Sequence, residues 1–437
     1  MSFGNPYNFV FIDEKNIRRE RDFLSPKSDV YSGQIKCAIR FLSNFITAGE
    51  NTLEQKKQQK INNRIGIQAS SLKGMLRATA EAISNSCISM MSNQYKYRFM
   101  RRMPIGTSSS SGVEYRKVSE EGRDWLVFDH KSLIYKDGLI DSCDNKKGLC
   151  ICCRLFGTSA KEDKETEESF SYKGKIRLSD ALYLGIYDKN GNINEKANNP
   201  IVTKYLKKHS LSNPKNHHEG FYLNGNKIKG RKFYYHHKDD KLLDSGQADT
   251  VLVELIKKDA VFEFTISFEN LIKEEYGLLL TTLELEPGLG HKIGMGKPLG
   301  LGSCAIDVTE IKEFTKERYL SMGEGTGKVY KSDELQKRKD EIESWWKDGI
   351  PQDLKCILKL DPGFTEIRYP IKDIHNPAND EFSTYKKLHP PCREFSDDDK
   401  KGNAPTFDVK PTESKEDKSS LKGIIADAFK KAKKMKK

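Results

Sequence analysis

Four of the nine cysteines lie close together in the segment "CDNKKGLCICC", which begins at Cys143 and ends at Cys153. Cys150 and Cys153 have the spacing with which two thiolates flanking a tight turn share one tetrahedral zinc ion. We expect Cys143 to be the third ligand of a structural zinc site and His130 the fourth, with Cys152 as the substitute for His130. The alternative is a cluster of reduced, buried thiols that binds no metal.

A second segment, "GLGHKIGMGKPLGLGS", contains six glycines between Gly288 and Gly302. It is not a nucleotide-binding P-loop, because that motif requires a glycine where His291 stands and a serine or threonine where Pro298 stands. It also lacks the third glycine of the dinucleotide-binding pattern. Two interpretations remain: a plain β-turn region, or a bare backbone that a polyanion approaches closely while lysines neutralise its phosphates.

Composition and charge point to an anionic partner. The 437 residues carry a formal net charge of +12, and the stretch from Lys422 to Lys437 has seven lysines and one acid, Asp427. RNA or DNA is the commonest partner of such a chain. No run of about 18 apolar residues and no signal peptide are present, so we expect a cytoplasmic protein with no membrane partner.

The pattern of apolar residues predicts a succession of strands and helices. Aromatic and β-branched runs predict strands, and helical spacing from Leu72 to Cys87 predicts a helix capped by Ser70 or Ser71. The predicted elements are a strand at 31–47, a polar basic loop at 49–64, a helix at 72–87, strands at 173–188 and 251–270, a helix at 271–283 and a strand at 303–311. This order favours an α+β fold with a ferredoxin-like core that carries large insertions.

Three regions follow from the composition. Residues 1–312 form the predicted core with its insertions, and 313–395 form a helical or irregular C-terminal extension. Residues 396–437 are charged and poor in apolar residues, so we expect a disordered basic tail. The end of this tail has the pattern of a basic amphipathic helix that forms on contact with an anion or partner, or of a simple solubility tail.

Several ordered motifs resemble the RAMP superfamily, the RNA-binding subunits of CRISPR effector complexes. The segment "HKIGMGKPLGLGS" is similar to their glycine-rich signature, "IQASSLKGMLR" to the entry of their first helix, and "CICCRLFGT" to their cysteine motif. The segments "GKIRLSDA" and "FEFTISFENLIKEEYGLLL" match in type and order, while "PYNFVFI" and "GRKFYYHH" resemble type III-D backbone proteins. The resemblance covers roughly residues 6–310.

This resemblance implies an RRM-like core with a thumb hairpin and a zinc knuckle. It also implies that the protein lines a CRISPR RNA guide, pairs the guide with target RNA, and assembles with copies of itself and other effector subunits. By resemblance and charge, the candidate RNA-binding residues are Arg64, Ser70, Ser71, Lys73, Arg77, Arg231, Lys232, Tyr235, His291, Lys292, Gly294, Gly296, Lys297, Gly300 and Gly302. The sequence departs from the family at Gln68 and Ala69, where Pro-Gly is usual.

The segment "GRKFYYHH" is predicted to be a strand. Alternation would place Lys232, Tyr234 and His236 on one face and the other side chains on the opposite face. Aromatic rings beside cations are able to stack bases and hold phosphates. The alternatives are a purely structural sheet face, or histidines that act in acid–base catalysis or metal binding.

Target cleavage in catalytic relatives depends on an aspartate in the loop after the first strand. Between Gly33 and Ser70 this chain has no aspartate, and Glu50 and Glu54 are its only acids there. We therefore expect a guide-binding subunit that does not cut RNA. Two alternatives stay open: an endoribonuclease on the same fold, acting on target or guide precursor, and a zinc-bearing RNA-binding protein unrelated to CRISPR.

Overall fold

The computed structural model describes most of the chain up to residue 369. The described residues are 3–13, 16–25, 27–52, 54–88, 103–104, 115–120, 123–128, 143, 148–160, 170–187, 193–194, 199–207, 223–224, 227–228, 230–238, 242–247, 250–315, 327–364 and 366–369. His130 and the predicted basic tail at 396–437 lie outside them.

The described chain contains both strands and helices, so the α+β class is confirmed. The strands are β1 (Phe3–Gly4), β2 (Tyr7–Val10), β3 (Tyr31–Phe41), β4 (Ala48–Asn51), β5 (Gln55–Gln58), β6 (Lys60–Ile61), β7 (Arg64–Ile67), β8 (Met103–Pro104), β9 (Tyr115–Glu120), β10 (Arg123–Phe128), β11 (Thr158–Ala160), β12 (Phe170–Tyr172), β13 (Ile176–Leu178), β14 (Ala181–Tyr187), β15 (Ile193–Asn194), β16 (Ile201–Lys207), β17 (Leu223–Asn224), β18 (Lys227–Ile228), β19 (Arg231–Tyr234), β20 (Thr250–Ile256), β21 (Ala260–Leu271), β22 (His291–Lys292), β23 (Ser303–Phe314), β24 (Gly327–Tyr330) and β25 (Glu366–Ile367). The helices are α1 (Ala69–Ile83), α2 (Ile151–Phe156), α3 (Lys273–Leu283), α4 (Ser332–Glu343) and α5 (Gln352–Leu358), with a 3-10 turn at Lys297–Leu299. None of the helices in this part of the chain is long and apolar enough to cross a membrane.

A large antiparallel sheet forms the centre of the molecule. Its strand order is β22-β23-β3-β21-β14-β7-β6, and one row of partners runs Ile306, Ile39, Phe262 and Tyr183 across four strands. Along the chain the main elements follow as β3, α1, β14, β21, α3 and β23. The sheet thus brings the first and last of these strands side by side, with β3 between β23 and β21.

The main core lies between this sheet and helices α1 and α3. Ile35, Cys37, Ile39 and Phe41 of β3 are fully buried while Gln34 and Lys36 are exposed, because alternate residues of a strand point to opposite faces. On α1 the buried positions Leu72, Leu76, Ala80 and Ile83 recur every three or four residues and form a helical stripe, and the last turn, 79–83, is buried throughout.

The segment predicted to be a basic loop at 49–64 contains strands, so that prediction was wrong. Strands β4 and β5 join β20 and β16 in a separate four-stranded sheet, in which β5 pairs in parallel with β20. The sequence of β5, "QKKQ", has no apolar alternation, and only Gln58 is buried. Backbone pairing with a distant strand therefore imposes the extended conformation that the local sequence does not favour.

The cap of α1 also differs from the expectation. The N-cap residue is Gln68, and no side chain of the cap residue bonds to the helix. Instead Asp180 Oδ1 accepts the backbone N–H of Ala69 at 2.7 Å. Ser70 and Ser71 lie inside the first turn with exposed side chains.

A second, smaller core lies under the glycine-rich stretch. Its buried members are Ile46, Leu206, Val251, Val253, Leu255, Leu299 and Leu301. The last two come from the stretch 288–303, which we call the glycine segment. The apolar residues between its glycines anchor this segment to the four-stranded sheet.

Part of the predicted C-terminal extension packs on the main core. Strand β24 pairs with β23, and α4 lies so close to α3 that a Cβ atom on Gly277 would be 3.0 Å from the carbonyl oxygen of Ile342. Ile342 and Ile357 are fully buried.

Candidate metal centre and nucleic-acid interface

Four cysteine sulfurs meet in the main core. Cys87 lies just after α1, Cys150 directly precedes α2, Cys153 lies within α2, and Cys143 comes from the preceding segment. All four are fully buried, and their sulfur atoms lie within 4.8 Å of one another. The sulfur of Cys87 is 3.4 Å from that of Cys153 and 3.6 Å from that of Cys150. The fold therefore assembles a four-thiol group from residues far apart in sequence.

Hydrogen bonds within the four-thiol group separate the pKa values of its members. Bonds with Cys143, Cys153 and Cys87 hold the pKa of Cys150 well below its ordinary value. The same network, led by hydrogen bonds with Cys143, raises the pKa values of Cys87 and Cys153. The group thus favours a thiolate at Cys150, and the thiolate is the form in which cysteine binds a metal.

The structure brings three of the four predicted metal ligands together, and the fourth predicted ligand, His130, lies outside the described residues. Cys143, Cys150 and Cys153 are together, and Cys87 completes the group. Cys152, the predicted substitute, has its sulfur 3.3 Å from Ser84 Oγ, and burial raises its pKa to about 12. No local pattern marks Cys87 as a metal ligand, because a single cysteine at helical spacing is typical of one more apolar position at the end of a helix.

Two arginines predicted to contact RNA lie at the four-thiol group. Arg77 on α1 donates to the carbonyl oxygen of Gly157 at 2.7 Å, pairs with Glu81 at 2.9 Å, and has Nη2 3.6 Å from the Cys153 sulfur. Arg231 on β19 is buried and donates to the carbonyl oxygen of Ser86. Both guanidinium groups therefore face the interior.

Three residues in the first turn of α1 that were predicted to contact RNA are at least partly accessible to solvent. Ser70 and Ser71 are exposed, and Lys73 is half-buried. Burial, with the neighbouring charge of Arg77, lowers the pKa of Lys73. A carboxylate, Asp180, already accepts the first N–H of the helix. What this turn offers an anion is therefore the two hydroxyl groups and the ammonium group rather than its first backbone N–H.

The glycines of the glycine segment are explained first by contacts inside the protein. Gly294, Gly296, Gly300 and Gly302 all have positive φ, where a side chain is strained. A Cβ atom on Gly302 would lie 1.8 Å from the carbonyl oxygen of Ile293, and one on Gly300 would lie 2.6 Å from that of Lys238. These glycines let three backbone segments approach one another closely.

Some backbone N–H groups of the same segment donate no hydrogen bond within the described part of the chain. Met295 N–H donates to the carbonyl oxygen of Ile46, and Gly302 N–H donates to that of Asn44. The N–H groups of Gly294 and Gly296 make no hydrogen bond to any of the residues described, and both residues are partly exposed. They flank a single residue, which is the arrangement of a shallow backbone nest for an anion.

The cations of the glycine segment differ in accessibility. His291 and Lys292 are buried, and the Lys292 ammonium group donates to the carbonyl oxygen of Tyr235. Burial lowers the pKa of Lys292 to about 7 and that of His291 to about 4. Lys297 is partly exposed, burial lowers its pKa, and within the described residues it forms no ion pair. Lys297 is therefore the cation of this segment that is best placed to meet a ligand.

The segment "GRKFYYHH" contacts the glycine segment through hydrogen bonds of His236. Strand β19 ends at Tyr234, so the predicted alternation fails at His236, which is buried. The ring nitrogens of His236 bond Ser303 Oγ at 2.9 Å and the carbonyl oxygen of Gly290 at 3.0 Å. Burial lowers the pKa of His236 to about 3, so it is a neutral structural residue.

The remaining candidates in this segment, Lys232 and Tyr235, lie among aromatic rings. Tyr235 is buried, and its hydroxyl group accepts a hydrogen bond from Asn8. Lys232 Nζ lies 3.8 Å from the centre of the Tyr7 ring, and burial lowers its pKa to about 8. Stacking of a base on Tyr235 is excluded by this burial.

The candidate acids and Arg64 lie in the strands that replaced the predicted loop. Glu50 is in β4, and Glu54 is exposed just before β5. Arg64 begins β7 and is exposed. Within the described residues, the group of three or more potential metal ligands that the structure forms consists of cysteines and does not include Glu54.

The two candidate nucleic-acid surfaces occupy different parts of the sheet. The glycine segment leads into β23, whereas α1 follows β7, which pairs with β14. From β23 to β7 the order passes through β3, β21 and β14. Four strand spacings correspond to about 19 Å. The surfaces are thus too far apart to hold a single phosphate together, but close enough to contact one extended strand.

Comparison with known proteins finds a family that matches more than half of the chain. The family model of the RAMP superfamily matches residues 32–305. No curated protein matches the chain. Among solved structures, the crystal structure of Thermofilum pendens Csc2 is similar, with 15% identity, a TM-score of 0.29, and coverage of 76% of this chain and 82% of that chain.

Proposed function

This chain belongs to the RAMP superfamily, and from that premise we propose that it is a guide-binding backbone subunit of a CRISPR effector complex. In this proposal the complex is of type III or a related type, close to III-D. The subunit holds a CRISPR RNA guide and presents it for pairing with target RNA. Its partners are the guide, the target, further copies of itself and other effector subunits.

The observation that carries the proposal is the open side of the glycine segment. Gly294 and Gly296 present N–H groups without partners among the described residues, and Lys297 stands beside them without an ion pair there. Backbone N–H groups and a lysine together suit a phosphate oxygen and read no base identity. A subunit that must hold guides of many sequences needs this kind of contact.

Three further features support the proposal. The β–α–β–β–α–β chain order and the spatial order β23-β3-β21-β14 are those expected of an RRM-like core. The exposed first turn of α1 adds Ser70, Ser71 and Lys73 as a second contact, beside a strand that lies about four strand spacings away. The hairpin formed by β9 and β10 lies between α1 and α2 in the chain and is our candidate for the thumb.

We further propose that the four-thiol group holds a structural zinc ion. Thiolate ligands favour zinc, and a tetrahedron with Zn–S bonds of ~2.3 Å has sulfur–sulfur edges of ~3.8 Å. The observed separations of 3.4 and 3.6 Å need only a small expansion to fit it. The ligands would be Cys87, Cys143, Cys150 and Cys153, and the ion would fix α2 against the end of α1.

The decisive experiment is to purify the full chain and sequence the RNA that accompanies it. The proposal expects RNA of uniform length that contains a CRISPR repeat. Mixed cellular RNA would favour an RNA-binding protein outside CRISPR. Failure to retain RNA, together with failure to bind a synthetic guide, would refute an RNA-binding role.

A further inference from the structure

One buried histidine bonds both ends of the glycine segment. His236 is 2% exposed; its Nε2 atom lies 3.0 Å from the carbonyl oxygen of Gly290, and its Nδ1 atom lies 2.9 Å from Ser303 Oγ. A carbonyl oxygen only accepts hydrogen bonds, so Nε2 carries the proton and Nδ1 of the neutral ring accepts from the serine hydroxyl group. A single tautomer therefore satisfies both bonds and joins the first residues of the segment to its last residue.

The end of the glycine segment is bonded to the chain that follows β3. The N–H of Ser303 donates to Ser43 Oγ at 3.0 Å, and the same hydroxyl group donates to the carbonyl oxygen of Gly300 at 2.8 Å. The carbonyl oxygen of Ser303 accepts from the N–H of Leu42 at 2.7 Å. These bonds lie just after the 3-10 turn that begins at Lys297, so they fix where that turn ends.

The beginning of the glycine segment is bonded to the C-terminal extension. The N–H of Gly290 donates to the carbonyl oxygen of Leu358 at 2.9 Å. The N–H of Leu360 donates to the carbonyl oxygen of Gly288, also at 2.9 Å, and the two stretches form an antiparallel bridge. A Cβ atom on Gly290 would lie 2.6 Å from Leu360 Cδ2 and 3.2 Å from His236 Cε1. Gly290 is thus enclosed between the extension and the histidine.

The C-terminal extension also packs on the strand that leads to this histidine. Helix α5 contacts β2 and β19. Phe364 follows α5, and its ring centre is 5.3 Å from that of Tyr235 in an edge-to-face arrangement. Asp353 Oδ2 accepts from the N–H of Phe11 at 2.7 Å, just after β2. The same part of the chain therefore contacts both the glycine segment and the segment that carries His236.

We infer that residues 352–364 of the C-terminal extension, acting through His236, position the glycine segment for phosphate binding. The extension fixes the beginning of the segment, and His236 joins that beginning to the end. The N–H groups of Gly294 and Gly296 and the ammonium group of Lys297 are thereby presented together. His236 is a positioning residue, because both of its ring nitrogens bond to protein atoms. This inference rests on the proposed function for the phosphate contact, and it makes the extension part of the RNA-binding machinery.

The first test is hydrogen exchange in the full-length, guide-free protein, measured by mass spectrometry on peptides from 290–303. The N–H groups of Met295 and Gly302 donate to carbonyl oxygens after β3, so their exchange reports opening of the segment. His236→Leu removes both ring bonds and should speed exchange there by about 10- to 100-fold, since each buried bond contributes up to about tenfold. His236→Gln supplies an amide donor and acceptor in place of the ring and should lie closer to the unmodified protein.

The contribution of the extension is tested by Leu360→Pro. Lys359 has φ −56° and ψ 130°, a conformation that the residue before a proline adopts readily. The change removes the N–H that donates to Gly288 and should speed exchange in 290–303 by about tenfold.

The second measurement is the salt dependence of binding to a synthetic guide RNA. His236→Leu should make the slope about 0.7 shallower, which corresponds to the loss of one phosphate contact. Combined with Lys297→Ala it should make the slope no shallower than either change alone, whereas combined with Lys73→Ala on the other surface the two losses should add to about 1.4. Arg338→Met breaks a buried ion pair with Glu313 at the opposite end of β23 and controls for lost stability. It should change neither the slope nor the exchange of the glycine segment.

Exchange that stays unchanged in both His236→Leu and Leu360→Pro would overturn the inference. Faster exchange without a change of slope would also overturn it, provided that Lys297→Ala does make the slope shallower. If Lys297→Ala leaves the slope unchanged, or if the unmodified protein binds no guide, the proposed phosphate contact itself fails. If His236→Leu cannot be purified, Leu360→Pro decides the point with the same two measurements.

Discussion

Lysines at the two candidate RNA surfaces should set the salt dependence of guide binding. Lys73 lies in the exposed first turn of α1, and Lys297 lies beside the open N–H groups of the glycine segment. Each is expected to neutralise one phosphate. For single strands, the logarithm of the affinity falls with the logarithm of the salt concentration by about 0.7 per contact, so losing two contacts makes the slope about 1.4 shallower.

That slope corresponds to a measurable difference in affinity. Between 50 and 200 mM salt, the unmodified protein should lose about sevenfold more affinity than the Lys73→Ala, Lys297→Ala variant. The assay is a filter-binding titration of a synthetic guide at four or more salt concentrations. The matched control is Lys337→Ala with Lys347→Ala, which removes the same charge from exposed positions in and after α4.

The control separates a local contact from a change in net charge. If both double variants flatten the slope equally, the effect is a general one and the two surfaces have no special role. An unchanged slope in the Lys73→Ala, Lys297→Ala variant would refute the contact of these lysines with phosphate.

The remaining predictions test the metal centre, the packing of the glycine segment, the pKa of Lys292 and the expectation that the protein does not cleave target RNA. Cys87→Ser should remove stoichiometric zinc, measured by elemental analysis, and lower the melting temperature, because a structural ion contributes directly to folding. Gly302→Ala should cost at least about 2 kcal/mol in a denaturant titration, whereas Gly288→Ala, with the same sign of φ and nothing within 4 Å, should cost only about 1 kcal/mol. Burial lowers the pKa of Lys292 from 10.5 to about 7, so between these two pH values the unfolded chain binds more protons than the folded protein. The free energy of unfolding should therefore rise with pH between about 7 and 10.5, and Lys292→Met should remove that rise in denaturant titrations at several pH values. Guide-loaded protein given complementary RNA and Mg²⁺ should bind the RNA and leave it intact on a gel; cuts at regular spacing would contradict this.

Periodic elements were predictable because their signal is local. The aromatic and β-branched residues of 31–47 predict β3, and helical spacing from Leu72 onward predicts α1. Their ends were less predictable: β3 stops at Phe41, and the cap of α1 comes from Asp180, more than a hundred residues away. A helix cap that comes from a residue distant in the sequence cannot be predicted from the residues next to the helix.

Polar strands were not predictable from the sequence. Strand β5, "QKKQ", reads as a loop because no apolar face distinguishes it. Its extended shape comes from hydrogen bonds to β20, which lies almost two hundred residues further along the chain. Pairing of this kind depends on where the rest of the chain places its strands.

The sequence by itself determined the family motifs, the α+β class and three of the four thiols, because each depends on the types and spacing of neighbouring residues. Only the tertiary structure decided that Cys87 completes the four-thiol group and that Arg77 and Arg231 face it. It also decided that most glycines of the glycine segment serve close packing, while Gly294 and Gly296 keep N–H groups open. The reason is that burial depends on contacts between side chains from segments that are distant in the sequence, and residue spacing along the chain does not predict those contacts.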